Sequence, residues 1–450
     1  MTTENRNLIT QNPKPRTQNR LFHIITFGCK VNQVDTAGLA QELGALGWRA
    51  AAPGVAPDLV LVNTCTVTAR ADQQARQAIR RLARDYPGAV IWVTGCYAQR
   101  APGEVAALPV QAVLGNREKT RLGELLAAPL ASGRPQLWVG EHSPEEPFHA
   151  WRVPSLPGHT RAWLKIQDGC SHRCSYCIVP RVRGPRRSLP PTQVVASLQE
   201  LAALGYQEVV LTGVDLGQYG QGLRPALDLA ALVRRLQERA WPFRVRFSSL
   251  EPQEVTGELI RELATWPEFC PHFHLPLQSG AAPVLAAMGR PYGPREVINL
   301  VAQIHRHFPD AGLGLDVLVG FPGETAADFE ATRTLVAELM ATYLHVFPFS
   351  PRPGTPAAQM EPVPAGLIRE RARVMRDQGR LRKFRFLQAQ LGQVREVLVE
   401  GPAAQAGWLQ GLSDNYLRVV FPGPPALRNR RLLVRFRAVQ GEVVAGEVAE

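Results

Sequence analysis

Six of the seven cysteines in this 450-residue chain fall into two sets of three, and their spacing decides what chemistry they can do. The sharper set is Cys170-Ser-His-Arg-Cys174-Ser-Tyr-Cys177, a C-x3-C-x2-C loop directly after the strand-like run WLKIQ. Three thiolates so close in one loop can take three irons of a 4Fe–4S cubane, leaving the fourth iron without a protein ligand and open to a reactant. Zinc is the other metal to weigh, but a closed structural zinc site wants four ligands, and only His172 is at hand as a fourth. The second set, Cys29, Cys65 and Cys96, is dispersed, yet each member ends a strand-like run: HIITFGC, VLVNTC and VIWVTGC. Neighbouring parallel strands open at their carboxyl ends into one crevice, so three distant cysteines can meet there on one cluster. Burial as three structural cysteines is the competing reading, but their neighbours Gly28, Thr64 and Gly95 are small or polar. Cys270 has no cysteine near it and reads as structural.

These sets dictate the elements that must position them. From Leu21 to about Gly115, apolar runs alternate with helix-sized stretches, which predicts βαβ units and a doubly wound parallel sheet within residues 21–135. A proline-rich stretch over 136–158 reads as a linker. A second alternating region, 159–388, offers six strand candidates: RAWLKIQ, EVVLTGV, RVRFSS, HFHLPL, GLGLDVLVG and TYLHVFPF. Six strands with intervening helices predict a partial β/α barrel, whose chemistry gathers on loops at the C-terminal face. Over 389–450 short strands follow without helices, predicting a small antiparallel barrel of the OB type. The fold class is therefore α/β with a terminal β-barrel. Residues 1–20 read as a disordered tail. No apolar run reaches the ~20 residues of a membrane helix and no signal-peptide pattern occurs, so a cytoplasmic protein with no membrane association is expected.

Lys plus Arg number 51 against 39 acidic residues, a net charge of +12. Only five of the cations are lysine, so the excess is carried by planar, phosphate-matching guanidinium groups, and a polyanion is the expected partner. Three basic surfaces stand out: Arg369 to Arg385; Arg428, Arg430, Arg431, Arg435 and Arg437 in the terminal barrel; and Arg173, Arg181, Arg183, Arg186 and Arg187 beside the cysteine loop. Together they point to an RNA backbone. His23, His274 and His345 lie on strand candidates and read as core residues. Ser249, Glu251, Gln278 and Ser279 follow strands and carry groups suited to a ribose and an amino-acid carboxylate. The run GFPGET from Gly320 could pack against adenine, and in FSPRPGTPA, Arg352 is the candidate for phosphate contact.

The C-x3-C-x2-C loop with Tyr176 before its last cysteine resembles the cluster loop of radical S-adenosylmethionine (radical SAM) enzymes. With FGCKVNQVDT, VNTCTVT and TGCYAQ ahead of it and a small RNA-binding barrel of the TRAM type behind, the chain from residue 21 resembles the methylthiotransferase family. The stretch Gly28-Cys29-Lys30-Val31-Asn32 is similar to the branch acting on N6-threonylcarbamoyladenosine at position 37, beside the tRNA anticodon. The resemblance implies two 4Fe–4S clusters and S-adenosylmethionine as cofactors, with Cys170, Cys174 and Cys177 catalytic. It also implies Tyr176, Gly213, Asp215 and Gly320 on the cofactor, with Asp215 against its amino group. An electron donor such as a flavodoxin or ferredoxin and a sulfur donor are the further partners expected. An unactivated purine C–H offers neither an acidic proton nor a leaving group, so a radical route fits better than acid–base catalysis. Threonylcarbamoyladenosine carries a carboxylate and a hydroxyl, which makes Lys30 and Asn32 the candidates for its recognition. The rival readings are the isopentenyladenosine branch, a ribosomal-protein branch, and a non-enzymatic zinc-containing RNA-binding factor.

Overall fold

The computed structural model describes residues 20–129, 133–143, 146–151 and 159–449. The expected N-terminal tail, but for residue 20, and residues 144–145 and 152–158 of the expected linker lie outside them.

The first six strands are β1 (Leu21–Thr26), β2 (Arg49–Ala50), β3 (Leu59–Thr64), β4 (Val90–Gly95), β5 (Ala112–Leu114) and β6 (Gln136–Trp138). They form one parallel sheet in the order β2-β1-β3-β4-β5-β6, with α1 (Lys30–Ala45), α2 (Ala69–Asp85), α3 (Cys96–Arg100), α4 (Pro102–Ala106) and α5 (Leu122–Ala127) on its faces. Every residue of β3 is buried, as a central strand covered on both sides requires. Thr68 caps α2 by accepting from the Ala71 amide. Helix α1 differs: its buried positions include Asn32, Asp35 and Gly38 as well as Leu39 and Leu43, because it is pressed between the sheet and the central barrel.

Two elements depart from expectation. The two-residue β2 is too short for a hydrophobic pattern to show. Strand β6 falls inside the stretch expected as linker; it pairs with β5 (Ala112↔Gln136) and sets Trp138 against Trp92 at 5.5 Å. The chain beyond it is also docked, since Trp151 donates to Asp35 at 3.0 Å and occupies the space where Gly38 lacks a side chain.

The six strand candidates of the central region all appear: β7 (Arg161–Lys165), β10 (Glu208–Thr212), β11 (Arg244–Phe247), β12 (His272–Gln278), β13 (Gly312–Val319) and β14 (Tyr343–Pro348), with a short antiparallel pair β8 (Gln167–Asp168) and β9 (Arg187–Ser188). The long strands are parallel in two runs, β7-β10-β11 and β12-β13-β14, joined through a Val245–Phe269 bridge. Helices α6 (Val179–Arg183), α7 (Pro191–Ala203), α8 (Leu229–Gln237), α9 (Gly257–Ala264), α10 (Ala282–Met288), α11 (Pro294–His307) and α12 (Ala326–Glu338) intervene. Leu211, Val245, Phe273, Leu275 and Leu315 pack with the helices in one buried cluster. The alternate positions, among them Arg161, Glu208, Arg246, His272, His274 and Asp316, line a polar lumen.

Helix α13 (Ala365–Ala389) leads to a closed barrel of β15 (Val394–Pro402), β16 (Trp408–Ser413), β17 (Arg418–Pro422), β18 (Arg431–Gln440) and β19 (Val443–Val448) in the order β15-β16-β17-β19-β18. One pair, β17 with β19, is parallel, so the barrel is not antiparallel throughout as its short strands suggested. No helix among the described residues is long and apolar enough to cross a membrane.

Candidate functional site

The β8–β9 pair pinches off residues 169–186 as a loop at the carboxyl end of the first barrel strand, and Cys170, Cys174 and Cys177 stand on it. The Cys170 amide donates to Gly184 O at 3.1 Å and the Ser175 amide to Met288 O at 2.9 Å, so the loop is tied at its base and against α10. Tyr176 accepts from Arg290 Nη2 at 2.5 Å and meets Phe321 edge-on at 6.4 Å, while Arg290 also pairs with Glu251. His172 Nε2 lies 3.1 Å from both Asp215 and Glu254. Hydrogen bonds to these carboxylates push the imidazole up to about 10. His172 Nε2 is thus turned to two carboxylates and not to the three cysteines.

The dispersed triad converges at the carboxyl edge of the first sheet. Cys29 precedes α1, Cys65 follows β3 and Cys96 opens α3. Gly28 and Gly95, just ahead of two of them, hold φ of +103° and +94°. A Cβ at Gly28 would lie 2.7 Å from Cys65 Cβ, and one at Gly95 2.4 Å from Thr64 O. Glycine is therefore required on both counts, by conformation and by space. Cys65 and Cys96 are buried and Cys29 is exposed. Burial pushes the Cys65 thiol up to about 12 and the Cys177 thiol to about 11, so both keep their protons until a metal displaces them.

The triads fit clusters better than single ions. Among the described residues, neither brings its three sulfurs within 4.8 Å of one another, whereas sulfurs on one zinc at ~2.3 Å stand about 3.8 Å apart. The two sites also adjoin. Cys96 packs with Ile178 and Val182, and Ile178 directly follows Cys177. Asn116 Nδ2 spans the same seam, 3.7 Å from Cys96 Sγ and donating to Val182 O at 2.7 Å.

A buried charge network that the sequence reading missed locks this seam. Asp35 accepts from Lys119 at 2.6 Å, Lys165 at 2.7 Å, Arg183 at 3.0 Å and Trp151 at 3.0 Å. Asp168 accepts from Lys165 at 2.9 Å and Arg183 at 3.3 Å. Burial opposes the charge on Asp35, but Lys119, Lys165 and Arg183 hold it well below the usual carboxylate range. Three cations face two carboxylates, an excess of positive charge beside sites suited to anionic clusters. The signal available in the sequence was Lys165 and Asp168 in an otherwise apolar strand region, since buried charges must be paired.

The other candidate residues divide. Asp215 reaches Cys170 Sγ at 3.3 Å, and its Oδ1 is buried without a partner, as is Ser248 Oγ next to the exposed Ser249. Gly213 abuts Gln167, whose Oε1 accepts from the Asp215 amide at 2.8 Å. Asp215, Tyr176 and Glu251 thus surround the loop triad, leaving unsatisfied polar atoms that suit a polar cofactor. Gln278 is buried at φ +63°. Ser279 is used inside the fold, 3.1 Å from Thr332 Oγ1. The Gly320 amide donates to Glu324 at 2.7 Å, and Glu324 in turn holds Arg371 of α13, so this run is a braced turn.

Several substrate candidates are corrected. Arg352 is 3% exposed and pairs with Asp72 and Thr66 beside Cys65, so it braces the dispersed triad and has no free face for phosphate. Asn32 is 1% exposed; it donates to Phe27 O and Thr64 O and receives Arg183, which joins the strand ends. Arg431 bonds Pro242 O and Glu396 between the barrels, whereas Arg428, which donates to Glu400 O, and Arg430 are both exposed. Arg183 and Arg187 are likewise turned inward, while Arg173 and Arg181 stay exposed. His345 is exposed and not core. Lys30 is half-buried, has no bonded partner among the described residues, and is held down to about 8 by burial and by Arg246 and Arg161.

A six-strand parallel arc with a three-cysteine loop after its first strand defines a radical SAM enzyme. Residues 164–336 match the Radical SAM superfamily, and residues 21–115 match the uncharacterized protein family UPF0004. A solved radical S-adenosylmethionine methyltransferase, TsrM from Kitasatospora setae, shares the fold with a TM-score of 0.57 at 18% identity, over 76% of this chain and 77% of that one. The threonylcarbamoyladenosine tRNA methylthiotransferase MtaB of Thermotoga maritima is 35% identical over 90% of this chain and 92% of its own. The Bacillus subtilis protein of that name is 36% identical over 89% and 90%. A tRNA-2-methylthio-N(6)-dimethylallyladenosine synthase of Moorella thermoacetica is 34% identical over 96% and 99%. The chain belongs to the radical SAM tRNA methylthiotransferase family, and is a transferase whose cofactors are 4Fe–4S clusters and S-adenosylmethionine.

Proposed function

We propose that this protein converts N6-threonylcarbamoyladenosine at position 37 of tRNA to its 2-methylthio derivative in the cytoplasm, with residues 21–135, 159–388 and 389–450 as its working units. Cys170, Cys174 and Cys177 hold the cluster that binds S-adenosylmethionine, and Cys29, Cys65 and Cys96 hold the second. The observation that carries the two-cluster reading is the shared wall of the triads, Cys96 against Ile178 and Val182. When bound, the clusters and S-adenosylmethionine supply the radical and sulfur chemistry that no side chain offers.

The chain's own residues bind, orient and exclude water. Asp215 and Glu251 place carboxylates beside the loop triad, which suits a cofactor bearing sulfonium and ammonium charges. The Asp35–Lys119–Lys165–Arg183 network fixes the separation of the two triads, since a misplacement of even 1 Å is costly in catalysis. Arg173, Arg181 and Arg430 face solvent and suit the phosphates of an anticodon loop, whose bases are cheaply unstacked. Lys30 supports the threonylcarbamoyl branch, because it places an unpaired ammonium between Cys29 and the lumen, where the substituent's carboxylate can meet it. An electron donor of the flavodoxin or ferredoxin kind and a sulfur donor complete the reaction. Nucleoside analysis of tRNA from a strain lacking the protein tests this reading. Loss of the 2-methylthio derivative of threonylcarbamoyladenosine is expected; an unchanged nucleoside profile would overturn it.

A further inference from the structure

The lumen holds an unbroken column of polar rings. At its floor, Tyr416, from the turn between β16 and β17, stacks on His272 with centroids 4.1 Å apart. His272 Nε2 lies 2.8 Å from Tyr343 OH, and Tyr343 OH lies 2.9 Å from His274 Nδ1. His274 Nε2 then meets Asp316 Oδ1 at 2.8 Å, and the same oxygen lies 3.2 Å from His345 Nδ1. One assignment of protons satisfies every link from His272 Nε2 to His345, with His272 Nδ1 buried and unpartnered at the lower end. His272 donates to Tyr343, Tyr343 donates to His274, and both His274 and His345 donate to Asp316. Nε2 of His345 is then left as an acceptor on an exposed ring.

Three features show that this column is built and not incidental. Gly314 sits across from Tyr343 in register, and a Cβ there would come 2.2 Å from the Tyr343 ring. The floor is bolted to the terminal barrel: Arg244 Nη2 donates to Leu412 O at 2.8 Å, and Arg246 donates to Asp414 O at 2.9 Å and Ser413 O at 3.1 Å. Both arginines are held by the fully buried Glu208, at 2.7 and 2.9 Å. Arg246 also lies over the Tyr416 ring at 5.2 Å. The terminal barrel therefore closes the bottom of the lumen as well as presenting arginines outward.

We propose that this column is the wall of the target-base pocket that reads the polar N6 substituent, and that Tyr416 of the terminal barrel is the positioning residue that holds it. This rests on the threonylcarbamoyl reading above. The acceptor at His345 Nε2 and the free oxygen of Asp316 suit the hydroxyl and N–H donors of a threonylcarbamoyl group, which an isopentenyl group lacks. A pocket whose buried polar groups go unpaired rejects the apolar analogue. His274, Asp316 and His345 could together hold a cation, since their ligand atoms lie within 4.8 Å. However, Asp316 Oδ1 already takes both imidazole N–H groups, which favours hydrogen bonding.

The test measures binding of anticodon stem-loops carrying threonylcarbamoyladenosine, isopentenyladenosine or unmodified adenosine to the cluster-loaded full chain, by fluorescence anisotropy. The ratio of Kd for the unmodified loop to that for the threonylcarbamoyl loop isolates the substituent from backbone contacts. Native protein is expected to show a ratio of at least about tenfold. His345→Ala, Tyr343→Phe and Tyr416→Ala should bring it to within about threefold of unity, while Tyr416→Phe, which keeps the stack, should restore it. Arg333→Ala, at an exposed surface pair with Glu330, is the control expected to keep the native ratio. A native ratio that persists in His345→Ala and Tyr343→Phe would overturn the column. So would a ratio abolished by a chelator and restored by added zinc, which would assign the site to a metal. A native protein that shows no preference for the threonylcarbamoyl loop would instead overturn the substrate reading itself.

Discussion

The two cysteine triads, proposed to hold one cluster each, are assembled by opposite routes. The loop triad lies within eight consecutive residues and needs only the β8–β9 clamp to present it. The dispersed triad exists only if three strands are adjacent, parallel and in register, and only if Gly28 and Gly95 let their strand ends approach Cys65 and Thr64. Their surroundings differ as well. Asp215, Glu251 and Glu254, paired with His172 and Arg290, crowd the loop triad, whereas Arg183 and Asn116 lie against the dispersed one. Under the proposed function the first setting takes the cofactor and the second holds the sulfur-handling cluster.

The largest effects should come from deleting either triad. Replacing Cys170, Cys174 and Cys177 with Ala should halve the iron and sulfide of the reconstituted protein and abolish reductive cleavage of S-adenosylmethionine. Deoxyadenosine formation at native rate by this variant would mean the loop triad is not the site. Replacing Cys29, Cys65 and Cys96 should remove the other half of the iron, leave cleavage largely intact and eliminate methylthiolated product. Full product would reduce those residues to core packing and erase the comparison. Zinc in place of iron and sulfide would do the same for both.

The next effect is on stability, and it probes the seam. Asp35→Ala leaves Lys119, Lys165 and Arg183 buried with one carboxylate where two stood, and breaking a buried ion pair from one side costs about 3–5 kcal/mol. Urea unfolding of the metal-free chain should show that loss as a lower midpoint. A change below about 1 kcal/mol would mean that water or rearrangement compensates the cations and that the network does not fix the triads' separation.

The contrast between the triads also explains how much is legible in the sequence. Alternation of apolar runs with helix-sized stretches locates the long parallel strands, because a strand buried on both faces is written as a continuous apolar word. The loop triad is legible from spacing alone, and the dispersed triad from each cysteine's place at a strand end. Long-range partnerships are not legible. Nothing local to Arg352 says that Asp72 will take it, and nothing local to Asn32 says that Arg183 will. Both pass for substrate contacts because a polar residue near a reactive one looks the same whether it faces a ligand or a neighbouring domain. The column escapes for the same reason: Tyr416 is far from His272 in sequence, and an exposed His345 on a strand is indistinguishable from a buried one. A usable hint lies in composition. In a chain with five lysines among 51 cations, Lys30, Lys119 and Lys165 all gather around the triads.

The smallest predicted effect asks from which side RNA arrives. Arg173 is exposed beside the loop triad, and Arg352 is buried beside the dispersed one. A lysine or arginine that touches phosphate releases counterions, so removing one such side chain should flatten the log–log dependence of affinity on salt by about 0.7–0.9. Arg173→Ala should therefore raise the tRNA dissociation constant a few-fold at low salt, reduce the slope by about one such step and leave the unfolding midpoint unchanged. Arg352→Ala should do the reverse, lowering the midpoint because Asp72 is deprived of a buried partner while the slope stays native. Measuring both quantities for both variants places each guanidinium on RNA or inside the fold. If Arg352→Ala flattened the slope and Arg173→Ala did not, the RNA would have to approach across the dispersed triad, and the assignment of the loop-triad side as the RNA-facing one would have to be exchanged.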